Sequence, residues 1–166
     1  MENVTDYTEE QIFQELSNVT DPEIPVLTVT DMGVVRKVDK FGETVRVTIT
    51  PTYSGCPAMQ RIESDIKEHL EKLGFEKVEV VTVLSPAWTT DWLTDVGRKK
   101  LEEYGIAPPA EKTTDKSALT GGKKTVRCPQ CKSENTKMIS QFGSTACKAL
   151  YQCQDCKEPF DYFKCI

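Results

Sequence analysis

The sequence predicts an α/β protein. It reads as a small two-layer α/β sandwich with a mixed sheet, in the order α-β-β-α-β-α, followed by a compact C-terminal cysteine ribbon. Three observations predict this. Along residues 1–109 the apolar residues switch between helical and alternating spacing. At 110–125 a polar stretch holding Gly121-Gly122 reads as a linker. Within 126–166 two C-x2-C pairs occur close together.

The elements follow in order. Thr8 and Gln11 are spaced for a capping box, in which each side chain satisfies a backbone N–H of the other. Behind them Ile12, Phe13, Leu16 and Val19 keep helical spacing, and Asp21-Pro22 is expected to stop that helix. Val34, Val35 and Val38 mark a first strand. Lys40-Phe41-Gly42-Glu43 is turn-like, and Val45, Val47 and Ile49 alternate with polar residues, which predicts a hairpin. A second helix is expected from Pro57, with Ala58, Ile62, Ile66, Leu70 and Leu73 on one face and Gly74 at its end. Val78–Val83 reads as a third strand. Leu93, Val96, Leu101 and Tyr104 mark a third helix, ended by Gly105 and Pro108-Pro109.

Composition narrows the class. At 38% hydrophobic and 28% charged, the chain is an ordinary globular protein. No apolar run approaches the roughly 18 residues of a membrane helix. The acidic start MENVTDYTEEQ lacks the apolar core of a secretory signal, so a cytoplasmic location is expected. There seven cysteines point to metal binding or thiol reactivity rather than disulfides. Residues 1–110 hold 11 Lys/Arg against 20 Asp/Glu, and residues 111–166 hold 10 against 6. The basic tail reads as a solvated face. Nucleic-acid binding is the competing reading, and the acidic main domain argues against it.

Cys128-Pro-Gln-Cys131 and Cys153-Gln-Asp-Cys156 supply the ribbon. Each C-x2-C turn aims two thiolates at one point, and two turns complete a tetrahedron of sulfurs that suits Zn2+, with iron as the competitor for the same ligands. A segment this short buries too little apolar surface to fold alone, so a structural metal is expected to hold it. Cys147 reads as a buried small hydrophobe and Cys165 as an exposed tail thiol.

Cys56 stands apart, in TYSGCPAM. With Pro57 as the first helical residue, Cys56 becomes the N-cap, where the helix dipole favours thiolate. A reactive or metal-binding cysteine and a buried packing cysteine fit equally well. His69, the single histidine, lies thirteen residues further on, about 20 Å along the helix, so it cannot serve Cys56 as a base. With Ile66 three residues before it, it cannot build the Glu-x-x-His pairs of a di-iron site either. Asp21 and Glu23 are candidate ligands that also read as an ordinary solvated turn. No Gly-rich phosphate-binding motif is present. Trp88 and Trp92 read either as a contact surface or as packing against the sheet.

DPEIPVLTVTDMGVV at 21–35 with SGCPAM at 54–59 resembles the SufT-like iron–sulfur assembly family. That family's signature includes an Asp-Pro-Glu turn and a functional cysteine, matched here by Asp21, Pro22, Glu23 and Cys56. SPAWTTDWLTDVGRKKLEEYGIAPP at 85–109, with the cysteine-rich tail, resembles one branch, the D-subunit family of phenylacetyl-CoA epoxidases. The resemblance implies domains at 1–109 and 126–166 and an accessory maturation factor of aerobic phenylacetate degradation, not an enzyme. It implies partners among the oxygenase and reductase components. It also implies transient iron or an iron–sulfur cluster at Cys56, assisted by Asp21 or Glu23, and a homodimer would supply a second Cys56. A non-catalytic scaffold linking the components and a regulatory nucleic-acid-binding ribbon are the alternatives.

Overall fold

The computed structural model describes residues 4–109 and 125–164. Cys165 and all of the expected linker except Thr125 lie outside them. The chain divides into two compact units, Met1–Gly97 and Arg98–Ile166.

In the first unit, α1 (Glu9–Glu15) opens with the expected capping box: Thr8 Oγ1 accepts from Gln11 N at 3.2 Å, and Gln11 Oε1 accepts from Thr8 N at 2.8 Å. The helix stops earlier than its apolar spacing predicts. It tightens into a 3-10 turn at Leu16–Asn18, where the Asn18 amide donates to the Glu15 carbonyl at 3.0 Å, and Val19 is already extended. Ile12, Leu16 and Val19 are still buried, so burial follows the pattern while the backbone does not.

β1 (Val35–Phe41) and β2 (Thr44–Ile49) form the predicted antiparallel hairpin, closed by Gly42-Glu43 with Gly42 at φ +64°. A positive φ at the first loop position matches the right-handed twist of the flanking strands. Val45, Val47 and Ile49 face the core at 0% exposure. β3 (Lys77–Thr82) pairs parallel to β2, giving the order β1-β2-β3. Parallel neighbours need a crossover, and α2 (Ala58–Lys72) supplies it. Its buried face is Ala58, Ile62, Ile66 and Leu70, each large side chain worth about 2 kcal/mol of burial.

The segment after β3 closes the end of the sheet where β2 and β3 finish. Val83 N donates to Ile49 O at 2.9 Å, the Trp88 indole N–H donates to Met32 O at 2.8 Å, and Thr94 N donates to Asp31 O at 2.9 Å. Gly33, at φ +70°, turns the chain where any Cβ would lie 2.5 Å from the Trp92 carbonyl oxygen. Trp88 is buried, as the packing reading expects, and Trp92 lies under the Arg36 guanidinium, 3.5 Å from its ring centroid.

α3 (Asp95–Tyr104) spans the division between the units. In the second unit, β4 (Ile106–Ala107), β5 (Thr136–Ser140), β6 (Lys148–Cys153) and β7 (Pro159–Phe163) form a sheet of order β4-β7-β6-β5. The division falls at 97/98 rather than the expected 109/110. Ile106 and Ala107 pair in parallel with Asp161 and Tyr162, so this stretch adds a strand to the ribbon. Ala107, Val126, Ala149, Phe160 and Tyr162 pack with Cys128 and Cys153 into the ribbon's core.

Candidate metal centre and thiol site

The Sγ atoms of Cys128, Cys131, Cys153 and Cys156 lie within 4.8 Å of one another. Cys128 and Cys156 are 3.8 Å apart, and Cys131 and Cys153 are 3.5 Å apart, far beyond the ~2.05 Å of a disulfide. A tetrahedral four-thiolate site with metal–sulfur bonds of ~2.3 Å has edges of about 3.8 Å. The donor set therefore fits a four-coordinate thiophilic ion. Cys128 and Cys153 are buried, and Cys131 and Cys156 face solvent.

Two matching turns build this geometry. Lys132 and Lys157, each directly after the second cysteine of its pair, are the described non-glycine residues with positive φ, at +64° and +67°. In the first turn Lys132 N donates to Cys128 O at 3.0 Å and Cys128 N to Ser133 O at 2.9 Å. In the second, Cys156 N donates to Cys153 Sγ at 3.5 Å and Cys153 N to Glu158 O at 3.0 Å.

Cys153 and Cys156 sit in unlike electrostatic surroundings. The Cys156 N–H holds the Cys153 thiol down at about 7 against the opposing effect of desolvation. Cys156 is pushed up to about 12: a backbone hydrogen bond from Glu158 resists the rise, and desolvation together with the three neighbouring sulfurs produces it. One thiolate forms readily at neutral pH. A bound cation favours the thiolate form of its cysteine ligands.

Asp155 adds a contact that the sequence pattern does not mark. Its Oδ1 accepts from Asn135 Nδ2 at 2.9 Å, its Oδ2 accepts from the Ser133 hydroxyl, and Gln154 N donates to Asn135 O at 2.8 Å. These bonds tie one cysteine turn to the other. The Ser133 hydroxyl, then Asn135, hold the Asp155 carboxyl below its usual value. The available signal was an Asp beside the last ligand and a Ser and an Asn just past the first pair, polar residues that only the fold brings together.

Cys56 lies elsewhere, in the first unit. Tyr53 O accepts from Cys56 N at 3.3 Å across a turn whose third residue, Gly55, has φ +80° and open space where a Cβ would be. Glycine is needed there for its backbone conformation. The N-cap of α2 is Pro57, not Cys56, so the cysteine stands one residue outside the expected position. Proline holds the cap at φ −68°, ψ −23° and gives no side-chain cap bond. Cys56 is half-buried and Ser54 exposed, on a loop anchored by buried Thr50 and Thr52. Among the described residues, Thr50 Oγ1 is the buried side-chain polar atom without a hydrogen-bond partner.

Asp21 is 5% exposed, and its Oδ1 accepts from the backbone N–H groups of Glu23 and Ile24, both at 2.8 Å. It shapes the Asp-Pro-Glu turn, and Glu23 is half-buried on that turn. Among the described residues, Cys56, Asp21 and Glu23 do not come together as a cluster of metal ligands. A polar cleft of the first unit, of about 230 Å3, lies between residues 18–20 and α2, and Cys56 is not among the residues that line it. His69 faces Glu15 there at 3.3 Å.

Comparison with known proteins gives this arrangement a lineage. Residues 9–83 match the family described as iron–sulfur cluster assembly protein, and residues 112–164 match the PaaD zinc beta ribbon domain. A DUF59 domain from Bacillus anthracis superposes with a TM-score of 0.52 at 27% identity, covering 56% of this chain and 90% of that one. A conserved hypothetical protein from Thermotoga maritima superposes at 0.50 with 31% identity, covering 58% and 96%. An Fe-S protein maturation auxiliary factor from Porphyromonas gingivalis is 37% identical over 90 residues, 53% of this chain and 85% of its own. In Escherichia coli, the protein named as the putative D subunit of 1,2-phenylacetyl-CoA epoxidase is 54% identical over 156 residues, 94% of this chain and 92% of its own. With both modules matched in order and nearly the full length aligned, the chain belongs to the D-subunit family of phenylacetyl-CoA epoxidases.

Proposed function

We propose that this chain is an accessory maturation factor for a phenylacetyl-CoA epoxidase, assisting assembly of an iron–sulfur or iron centre in a partner component. The observation that carries the reading is the union of two modules: an assembly-type domain over 9–83 and a ribbon continuous with it in a relative named as an epoxidase subunit. In this reading the assembly-type domain and the cysteine ribbon divide the labour. Cys56, half-buried on a turn fixed by Gly55 and Pro57, engages iron, a cluster or a partner thiol. The Asp21 turn and Glu23 shape the surface of the same unit. The ribbon takes zinc on Cys128, Cys131, Cys153 and Cys156. Bound there, zinc cross-links the two cysteine turns, and four thiolates leave it no open position for chemistry. The protein works in the cytoplasm and performs no epoxidation itself.

One observation favours a second reading. Cys56 stands one residue outside the helix cap, and among the described residues it forms no cluster of metal-ligating side chains with Asp21 and Glu23. A scaffold that joins the oxygenase and reductase components needs no reactive thiol. The test is to produce the epoxidase components with and without this chain and to measure iron, sulfide and co-purification. Maturation predicts components depleted of iron or sulfide in its absence. Fully loaded components that no longer co-purify would establish the scaffold instead.

A further inference from the structure

The ribbon's β5–β6 hairpin carries a surface that neither the metal centre nor Cys56 uses. β5 is the terminal strand of its sheet, so its outer edge has no neighbouring strand among the described residues. Met138 and Ile139 are 50% and 53% exposed, and Phe142, just beyond the strand, is 57% exposed. The register shifts between Met138 and Ser140, a bulge of the kind that re-aims side chains at an edge. An open edge beside apolar side chains is the usual platform for adding an extended segment.

Charge states which segment. Lys137 is exposed on the same strand. The Lys164 ammonium lies 4.3 Å from the Phe142 ring centroid and donates to the Gln141 carbonyl. Lys148 is 6% exposed, and its ammonium donates to Ser144 Oγ at 3.2 Å. Among the described residues none of these three lysines forms an ion pair, whereas Arg127 and Lys132 pair with Glu134 and Glu102. Asp161 comes close to Gly143, yet it too pairs with none of the three. A buried ammonium held by one hydroxyl gains when a counter-charge arrives.

We propose that the β5 edge and the following loop bind an extended, acidic segment of a partner protein. Its apolar side chains cover Met138, Ile139 and Phe142, and its carboxylates face Lys137, Lys148 and Lys164. A nucleic-acid strand fits less well, because the patch has one aromatic ring for base stacking and no arginine. The proposal rests on the maturation reading only for having a partner at all. Its test uses no epoxidase component, so the two readings fail separately.

The experiment titrates short extended peptides into the full metal-loaded chain and follows its backbone amide resonances. A peptide alternating Glu with Leu is expected to shift the amides of 137–148. Exchanging Glu for Lys, or Leu for Ser, is expected to weaken binding about tenfold or more. The double variant Met138→Ser, Phe142→Ser, whose sites are exposed, is expected to lose affinity to a similar degree, and Lys137→Glu to lose part of it. Four results overturn the proposal: no shift at 137–148, equal binding of the Lys peptide, tighter binding of a single-stranded oligonucleotide there, or self-association of the chain through that surface.

Discussion

At the residue scale, the six described cysteines fall into three kinds, and surroundings separate them. Four gather their sulfurs at one point in space, Cys147 is a buried residue with its sulfur 3.1 Å from Thr145 Oγ1, and Cys56 stands half-buried on a turn. The ribbon ligands were legible because C-x2-C spacing fixes geometry locally. The position of Cys56 was legible only to within a residue, because Pro57 suits both the N-cap and the first helical position. Asp155 shows what spacing cannot reveal, since its partners Ser133 and Asn135 lie across the metal turn. Asp155→Ala should lower metal affinity ten- to a hundredfold, measured by competition with a chromophoric chelator. Because the folded carboxyl titrates below its usual 3.8, its stabilisation is complete above that value and fades as pH falls through the folded one. Thr50 offers an independent check. Its buried hydroxyl has no partner among the described residues, so Thr50→Val should stabilise the protein by about 1 kcal/mol in denaturant unfolding.

At the element scale, hairpin, second helix and capping box all followed from period and cap chemistry. α1 shows the limit. Val19 keeps the helical spacing and is buried, yet it is reached by an extended backbone after a 3-10 turn. Apolar spacing reports which side chains go inside, and several backbones satisfy it. The two-residue strand Ile106–Ala107 was illegible for a different reason: its partners lie more than fifty residues away, and nothing local marks it. Gly33 is where one element depends on another most sharply. Gly33→Ala would drive a methyl against the Trp92 backbone at a positive φ, costing about 2–4 kcal/mol and loosening the Trp88–Leu93 segment, visible as a shift in tryptophan fluorescence. The cysteine turns carry smaller strain. Lys157→Gly should be tolerated and Lys157→Val should cost about 1–2 kcal/mol, because a β-branched side chain resists the left-handed region.

At the scale of the whole molecule, two compact units carry two unlike sulfur sites. The ribbon's core is small and includes two of its own ligands, so its fold and its metal stand together. A strong chelator should collapse the amide dispersion of the ribbon, and zinc should restore it more readily as pH rises, since protons compete for the thiolates. The role proposed for the molecule turns on the other site, at Cys56. Iron and sulfide should be quantified in epoxidase components produced anaerobically with the wild-type chain or with Cys56→Ala, with zinc in this protein measured alongside. A maturation role requires that Cys56→Ala keep its zinc while one component loses iron or sulfide. Fully loaded components beside a zinc-replete Cys56→Ala chain would contradict that role and leave the scaffold as the function.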